Sequence, residues 1–256
     1  MASPEGRTFA ELQAADNRCL DIFGGCDPMR RLVWDTSNFT AQTDQSRGGR
    51  STARLDQDDN DQTFVMFTGS LDPRALDPPA AFAAMRTVET WIAPNLAAYD
   101  ALIVDVKESD GKDYTIVVKD TPLERRPDGR LASTVSWEYD FNLRSNLKGS
   151  GRMILRFTEF KPFFRGKEME NAPEMKWDNI KSISIMCRSH FGNQEGDFTM
   201  HIYSISAYRY RDLSPEPAED KIIRGPSSRR KRFIQRVRQS FDESFRPKSS
   251  SKAVPR

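Results

Sequence analysis

Histidine and cysteine are scarce in this 256-residue sequence, which holds two histidines and three cysteines. The cysteines, Cys19, Cys26 and Cys187, are odd in number and contain no Cys-x-x-Cys pair, which favours free thiols over a disulfide framework. His190 and His201 do not lie at a metal-ligand spacing from each other or from a cysteine. The sequence therefore predicts neither a metal site nor a disulfide-stapled domain.

Long apolar runs and enzyme signatures are also missing. No stretch of about 18 apolar residues occurs, so no membrane-spanning helix is predicted. The chain has no Gly-x-Ser-x-Gly, His-Glu-x-x-His, Walker or Gly-x-Gly-x-x-Gly motif. Residues 1–16 have neither a secretory apolar region nor the Arg-rich, acid-poor composition of a transit peptide. We therefore expect a non-enzymatic protein without a cofactor and without an N-terminal targeting signal.

Positive charge is concentrated at the C-terminal end of the chain. The whole sequence has a formal net charge of +2. Residues 221–256 contain 12 Lys/Arg and 2 Asp/Glu, whereas the preceding residues contain 27 and 35. The acidic body is not expected to bind nucleic acid, because phosphates attract cations and repel a surface of their own sign. The basic tail favours anionic partners.

Hydrophobic residues in the middle of the chain alternate with a period of two, which predicts β-strands. No long helical pattern alternates with these runs, which excludes a doubly wound α/β fold. The predicted fold is all-β, an antiparallel β-sandwich of the jelly-roll type. The clearest runs are 62–71, 100–107, 113–120, 133–141, 152–157, 180–187 and 197–210, and weaker ones lie at 47–55 and 80–90.

Two of these runs are separated by a turn sequence, Ser109-Asp110-Gly111-Lys112. Asp-Gly supplies the positive φ of a tight hairpin turn, so we predict that 100–107 and 113–120 pair antiparallel. The alternation also predicts which side chains enter the core. They include Leu102, Val104, Ile116, Val118, Ile183 and Ile185.

Three segments follow from these patterns. Residues 1–29 form an N-terminal segment, in which Thr8 to Leu20 has the pattern of a short amphipathic helix that ends at two glycines. Residues 30–212 form the sandwich domain. Residues 213–256 form a Pro/Ser-rich linker and the basic tail.

Several sequence blocks follow one another in a specific order. They are Trp34 followed by TDQSRGGRS at 43–51, FTGSL at 67–71, AAFAAMRT at 80–87, YDALIVDVKESDGKDYTIVVKD at 99–120, VSWEYDF at 135–141, MILRFTEFKPFFRGKEMENAP at 153–173 and EGDFTMHIYSISAY at 195–208. In order and spacing these blocks resemble the complex I intermediate-associated protein 30 family. The resemblance covers residues 34–210.

The resemblance implies a galactose-binding-domain-like jelly roll and no chemical reaction. It implies a chaperone that binds assembly intermediates of complex I, the respiratory NADH:ubiquinone oxidoreductase, or other assembly factors. The implied location is the mitochondrion, and the cytoplasm is the alternative because no transit peptide is visible. Two positions depart from the family pattern: Arg156 stands in an apolar-Pro-Phe block, and Ala81 stands where a glycine commonly precedes Phe82.

The candidate partner-binding surface is an aromatic and cationic stretch, Phe160–Gly166, whose composition favours a loop at the end of the sandwich. Aromatic and arginine side chains are enriched in binding hot spots, and exposed apolar loops mark interaction sites. The candidates are Phe160, Phe163, Phe164 and Arg165. Alternatively, these rings close the end of the core.

A carbohydrate-binding module is the alternative function, because jelly rolls often bind sugars through aromatic side chains. Its candidate residues are Trp34, Trp91, Trp137 and Trp177. The expected free thiols and the lack of a secretory signal count against a module for extracellular glycans.

The basic tail carries a pattern for membrane binding. If residues 229–246 are helical, apolar side chains at i+4 spacings form a stripe beside a cationic cluster, an arrangement that binds anionic membrane surfaces. The candidate contacts are Arg229, Arg230, Lys231, Arg232, Phe233, Val237 and Phe241. The alternatives are a nuclear localisation signal at 229–232 and a solvated, disordered tail.

Overall fold

The computed structural model describes residues 18–209, apart from 128, 130 and 144–150. Regular structure in these ranges is almost entirely β-strand. The strands are β1 (Cys19–Phe23), β2 (Phe39–Thr43), β3 (Thr52–Gln57), β4 (Val65–Leu71), β5 (Phe82–Thr87), β6 (Ala101–Ser109), β7 (Tyr114–Lys119), β8 (Ser136–Phe141), β9 (Gly151–Arg156), β10 (Lys161–Phe164), β11 (Lys167–Glu168), β12 (Ser182–Arg188) and β13 (Gly196–Tyr208).

Among the described residues, helical structure is limited to short 3-10 segments. They lie at Thr36–Asn38, Asp44–Arg47, Pro73–Ala75 and Phe157–Glu159. Within the described ranges, no helix has the length and apolar character needed to cross a membrane.

The strands form two antiparallel sheets. The first sheet has the order β3-β4-β13-β6-β9, and β1 also pairs with β13. The second sheet has the order β11-β10-β8-β7-β12-β5-β2. The long strand β13 is central, because its residues 196–202 pair with β4, its residues 205–208 pair with β1, and its other edge pairs with β6. The predicted all-β sandwich is confirmed.

The core lies between the two sheets, because each strand turns alternate side chains inward. All six predicted core residues have no exposed surface: Leu102, Val104, Ile116, Val118, Ile183 and Ile185. An aromatic cluster fills the same layer, in which the Phe67 ring lies 5.0 Å from that of Phe198 and 6.1 Å from that of Tyr114. Burial of each such side chain stabilises the fold by about 1.5–3 kcal/mol.

The hairpin predicted between 100–107 and 113–120 is wrong. β6 pairs with β13 and β9 in the first sheet, whereas β7 pairs with β12 and β8 in the second. The Asp110–Gly111 turn does reverse the chain, with a φ of 80° at Gly111, but it carries the chain from one sheet to the other. The Asp110 carboxylate anchors this crossing by accepting hydrogen bonds from the Tyr114 hydroxyl at 2.9 Å and the Thr199 amide at 3.1 Å.

The N-terminal helix also needs correction. Most of the predicted segment, Thr8 to Leu20, lies outside the described residues, but its last two residues belong to β1. Leu20 lies opposite Ala207 of β13 and packs against the core, so it is buried as part of a strand and not of a helix. The first sheet therefore includes residues that precede the predicted start of the sandwich at residue 30.

Candidate functional site

The outer face of the second sheet carries buried charges. Residues paired across neighbouring strands point to the same face of a sheet, and one row of pairs runs Glu138, Val117, Ser184 and Arg86. Since the inward positions of β7 and β12 are filled by the core, this row faces away from it. We call the charged outward side chains of β5, β7, β8 and β12 the charged face; they are Arg86, Lys119, Glu138, Asp140 and Arg188.

Arg188 is the centre of the charged face. Its guanidinium donates to Glu138 Oε2 at 2.6 Å and to Asp140 Oδ1 at 2.5 Å, and Thr115 Oγ1 donates to Asp140 at 2.7 Å. Burial opposes the ionisation of Asp140, but the Arg188 charge and these hydrogen bonds outweigh it and lower its pKa to about 2. Burial likewise opposes the charge of Arg188, yet the two carboxylates raise its pKa above the usual range.

A second group of ions lies at the other end of the charged face. Arg86 is only 5% exposed and donates to Glu89 at 3.0 Å, and Arg125 donates to the same carboxylate at 2.9 Å. Lys119 Nζ donates to Thr134 Oγ1 at 3.0 Å, and burial lowers the pKa of this lysine. Arg125 and Thr134 belong to the β7–β8 connection, which therefore covers this end of the face.

Two donors on the charged face are unused. The Nε atoms of Arg86 and Arg188 are buried and have no hydrogen-bond partner among the residues described. Buried donors in native proteins nearly always have a partner, so these two atoms are exceptions to that rule.

The stretch predicted as a loop is instead an edge hairpin, Lys161–Glu168, formed by β10 and β11. β10 pairs with β8 on one side and with the two-residue β11 on the other. Phe160 precedes it and is 5% exposed, with its ring 5.4 Å from those of Tyr139 and Trp177. Phe160 is thus a core residue, in agreement with the alternative interpretation of these rings.

The other three candidates of this stretch are more accessible. Phe164 is 38% exposed, and the Arg165 guanidinium lies 5.3 Å from the centre of its ring. Arg165 has a φ of 51° and forms the hairpin turn with Gly166. Phe163 lies beside the charged face, with the Arg188 guanidinium 5.7 Å from its ring centre. The structure therefore brings Phe163, Phe164 and Arg165 to one edge next to the buried ions.

The four tryptophans proposed as a sugar platform pack against the core. Trp34 is 3% exposed and donates from Nε1 to the Tyr203 carbonyl at 2.9 Å. Trp177 stacks on Phe157 with ring centres 3.6 Å apart. Trp91 and Trp137 are partly buried against the same cluster. None of the four is an open aromatic surface of the kind that the carbohydrate hypothesis requires.

The two histidines occupy separate positions. His201 lies on the outer face of the first sheet, stacked on Phe64 with ring centres 5.3 Å apart, and its Nδ1 is 3.6 Å from Glu108. His190 Nε2 lies 3.9 Å from Asp113 at the end of β12.

The tail candidates for membrane contact lie outside the described residues. They are Arg229, Arg230, Lys231, Arg232, Phe233, Val237 and Phe241. Their role stays a prediction.

One cluster of metal-ligand type was missed by sequence reasoning. Cys19, Asp21 and Cys26 each place one ligand atom within 4.8 Å of the others. The six residues between the two cysteines match no short metal motif, and the helix predicted for this segment placed Cys19 on a different element. A correct prediction of strand β1 and of the turn after it would have revealed the cluster.

A family model for complex I intermediate-associated protein 30 matches residues 31–202 of the chain. The chain belongs to this family. The matched range contains all of the charged face and the edge hairpin, whereas Cys19 and Cys26 precede it. An uncharacterized protein of Schizosaccharomyces pombe is 34% identical over 179 residues, which cover 68% of this family member and 79% of the yeast protein.

Solved structures with a similar fold have low sequence identity. The family 11 carbohydrate-binding module of the cellulosomal cellulase Lic26A-Cel5E of Clostridium thermocellum has a TM-score of 0.45 and 14% identity, and the match covers 75% of this chain and 94% of the module. An exo-β-agarase has a TM-score of 0.40 and 9% identity, and the match covers 88% of this chain and 31% of the enzyme. Similarity at this level carries no functional inference.

Proposed function

We propose that this protein is a non-enzymatic assembly factor that binds intermediates of complex I, the NADH:ubiquinone oxidoreductase, and holds them during assembly in mitochondria. The observation that carries the proposal is the family match, which begins before β2 and ends within β13. A match of this extent supports a function of the sandwich itself, as distinct from an appended segment.

The proposed contact surface is the edge hairpin together with the adjoining charged face. Phe163, Phe164 and Arg165 are the residue types that dominate binding energy in protein interfaces. Truncation of a hot-spot residue costs about 2 kcal/mol or more of binding free energy, which is roughly a 30-fold loss of affinity. The Arg188 guanidinium lies 5.7 Å from the centre of the Phe163 ring, so the hairpin and the charged face adjoin each other.

The ion pairs of the charged face support a binding function over a catalytic one. A general acid or base works best with a pKa near the operating pH. Asp140 has a pKa of about 2, because Arg188 stabilises its ionised form, so this carboxylate is neither a proton donor nor a useful base near neutrality. The face is suited to fixed charge recognition.

The binding proposal is tested by affinity capture of the tagged full-length chain from mitochondria of its own cells. We expect identified complex I subunits or complex I assembly proteins to copurify with the wild type. The double variant Phe163→Ala, Phe164→Ala should lose them at least about 10-fold. Ile92→Ala is the matched control, because Ile92 is an 89% exposed apolar residue outside the hairpin, and its capture should equal that of the wild type.

Two results contradict the proposal. The first is capture of no complex I protein by the wild type, combined with normal complex I on native gels in cells that lack this chain. The second is capture by the hairpin variant equal to that of the wild type and of the Ile92→Ala control, which places the contact surface elsewhere.

We further propose that the basic tail brings the assembly factor to the membrane in which its clients assemble. Each basic residue near an anionic lipid surface contributes about 1 kcal/mol, and buried rings add to this binding. The cluster Arg229–Arg232 and the apolar residues that follow it at i+4 spacings have the required composition.

A further inference from the structure

Strand β1 places two potential ligands on the outer face of the first sheet. Cys19 and Asp21 lie opposite Tyr208 and Ser206 of β13, whereas the intervening Leu20 packs toward the core. Side chains two residues apart on a strand share a face. The thiol and the carboxylate are therefore neighbours on the same surface.

Two glycines return the chain over this surface. Gly24 has a φ of 64°, and a Cβ on it would lie 2.2 Å from the Tyr203 carbonyl oxygen. A Cβ on Gly25 would lie 2.4 Å from the backbone of the following loop. Only glycine fits both constraints, and the tight reversal brings Cys26 beside Cys19.

An arginine fixes the returning loop. Arg31 donates to the Gly25 carbonyl at 3.0 Å and to Asp105 of β6 at 2.6 Å, and both side chains of this ion pair are mostly buried. The Cys26 amide also donates to Asp21 Oδ1 at 2.6 Å, which orients the carboxylate. The ligand atoms are thus held by the fold before any ion binds.

The spacing of the three side chains suits a tetrahedral ion. One atom each of Cys19, Asp21 and Cys26 lies within 4.8 Å of the other two. Two thiolates on one zinc ion lie about 3.8 Å apart, because each Zn–S bond is about 2.3 Å long. A contraction of about 1 Å therefore places all three atoms on one ion.

A hydrogen bond joins the Cys19 and Cys26 thiols before metal binding. Zinc binds cysteine as the thiolate, so its binding releases the thiol protons.

A second observation at the same place points to a ligand. Cys19, Cys26 and Ser206 line a cavity of about 90 Å³, which has room for a few water molecules. Ser206 Oγ is buried there beside the Cys19 thiol. Such a group normally bonds to protein or to ordered water.

We propose that Cys19, Asp21 and Cys26 form a zinc-binding site, with a water molecule as the fourth ligand, hydrogen-bonded to Ser206. Thiolates suit this borderline-soft ion, and the carboxylate favours it over Cu(I), which selects sulfur ligands. The ion ties the turn after β1 to the sheet. The site lies before the family-matched range and is independent of the assembly function.

The test uses the reduced, metal-free full chain. Equilibrium dialysis against Zn²⁺ with elemental analysis should show about one ion per chain, and Co²⁺ should give a near-ultraviolet thiolate-to-metal absorption band. Cys19→Ser and Cys26→Ser should each weaken zinc binding at least about 10-fold and remove the band. The control is Cys187→Ala, because this thiol is fully buried in the core and its loss should leave both readouts unchanged.

Circular dichroism checks that each variant is folded, and Asp21→Asn replaces any cysteine variant that is not. This exposed substitution should also weaken binding by about 10-fold. The proposal is overturned if the reduced wild type takes up no stoichiometric zinc, or if the cysteine variants retain it. It is equally overturned if the untreated protein carries a Cys19–Cys26 disulfide and binds no zinc after reduction.

Discussion

Replacing Asp140 with asparagine should remove a pH-dependent part of the stability of the sandwich. The folded-state pKa of Asp140 is about 2, below its ordinary value of 3.8. The lowered pKa stabilises the fold above the unfolded pKa, and this stabilisation is lost as the pH falls from about 4 to 2. The difference of nearly two pKa units corresponds to about 2 kcal/mol of stability at neutral pH and to about 1 kcal/mol at pH 3, since one unit equals about 1.4 kcal/mol.

The measurement is urea unfolding of wild type and Asp140→Asn at several pH values, followed by tryptophan fluorescence. The difference in unfolding free energy should be constant from pH 7 to 5 and should shrink below pH 4. Asp59→Asn, an exposed carboxylate in a loop, is the matched control and should change stability by less than about 0.5 kcal/mol. A difference that does not vary with pH, or one as small as the control, refutes the assigned role of the Arg188 ion pair.

Three other variants test the fold and the tail. Gly24→Ala should lower the unfolding free energy by about 2 kcal/mol or more in thermal or urea melts, because the added Cβ meets the Tyr203 carbonyl. Gly48→Ala is the control; it has open space around it and should cost about 1 kcal/mol in the same melts. Phe67→Ala should cost about 3–5 kcal/mol, since the ring is fully buried; a loss below 1 kcal/mol contradicts this packing. The full chain should sediment with anionic liposomes at low salt and a truncation after Ser214 should not; equal binding by both refutes the membrane role of the tail.

The period-two pattern predicted the strands best where one face of a strand is buried. β4, β6, β7, β8, β9, β12 and β13 all overlap the clear runs, and β3 and β5 overlap the weaker ones. Short or edge strands were missed, because β1, β2, β10 and β11 have two to five residues and pack few side chains inward. Phe160–Gly166 illustrates this, since proline and turn residues within an edge hairpin have the composition of a loop.

The positions of the candidate contact residues were predicted in part, and their binding role stays a prediction. Phe163, Phe164 and Arg165 do reach one accessible edge, as their composition suggested, while Phe160 entered the core. The charged face was not predicted, because its residues are spread over more than 100 positions of sequence and only the strand order brings Arg86, Glu138 and Arg188 together. No local pattern encodes such a register.

Local sequence determined what local forces control: the alternation that makes strands, the inward side chains of β6, β7 and β12, and the chain reversal at Asp110–Gly111. Tertiary structure alone decided which strands become neighbours. The same reversal can close a hairpin or cross between sheets. The outcome depends on the apolar surface that β6 buries beside β13 and β7 buries beside β12, and both partners are far away in sequence. The local pattern around Cys19 favours a helix, but pairing with β13, nearly 190 residues away, stabilises a strand there. Cys19 and Cys26 meet only because β1 forms this strand.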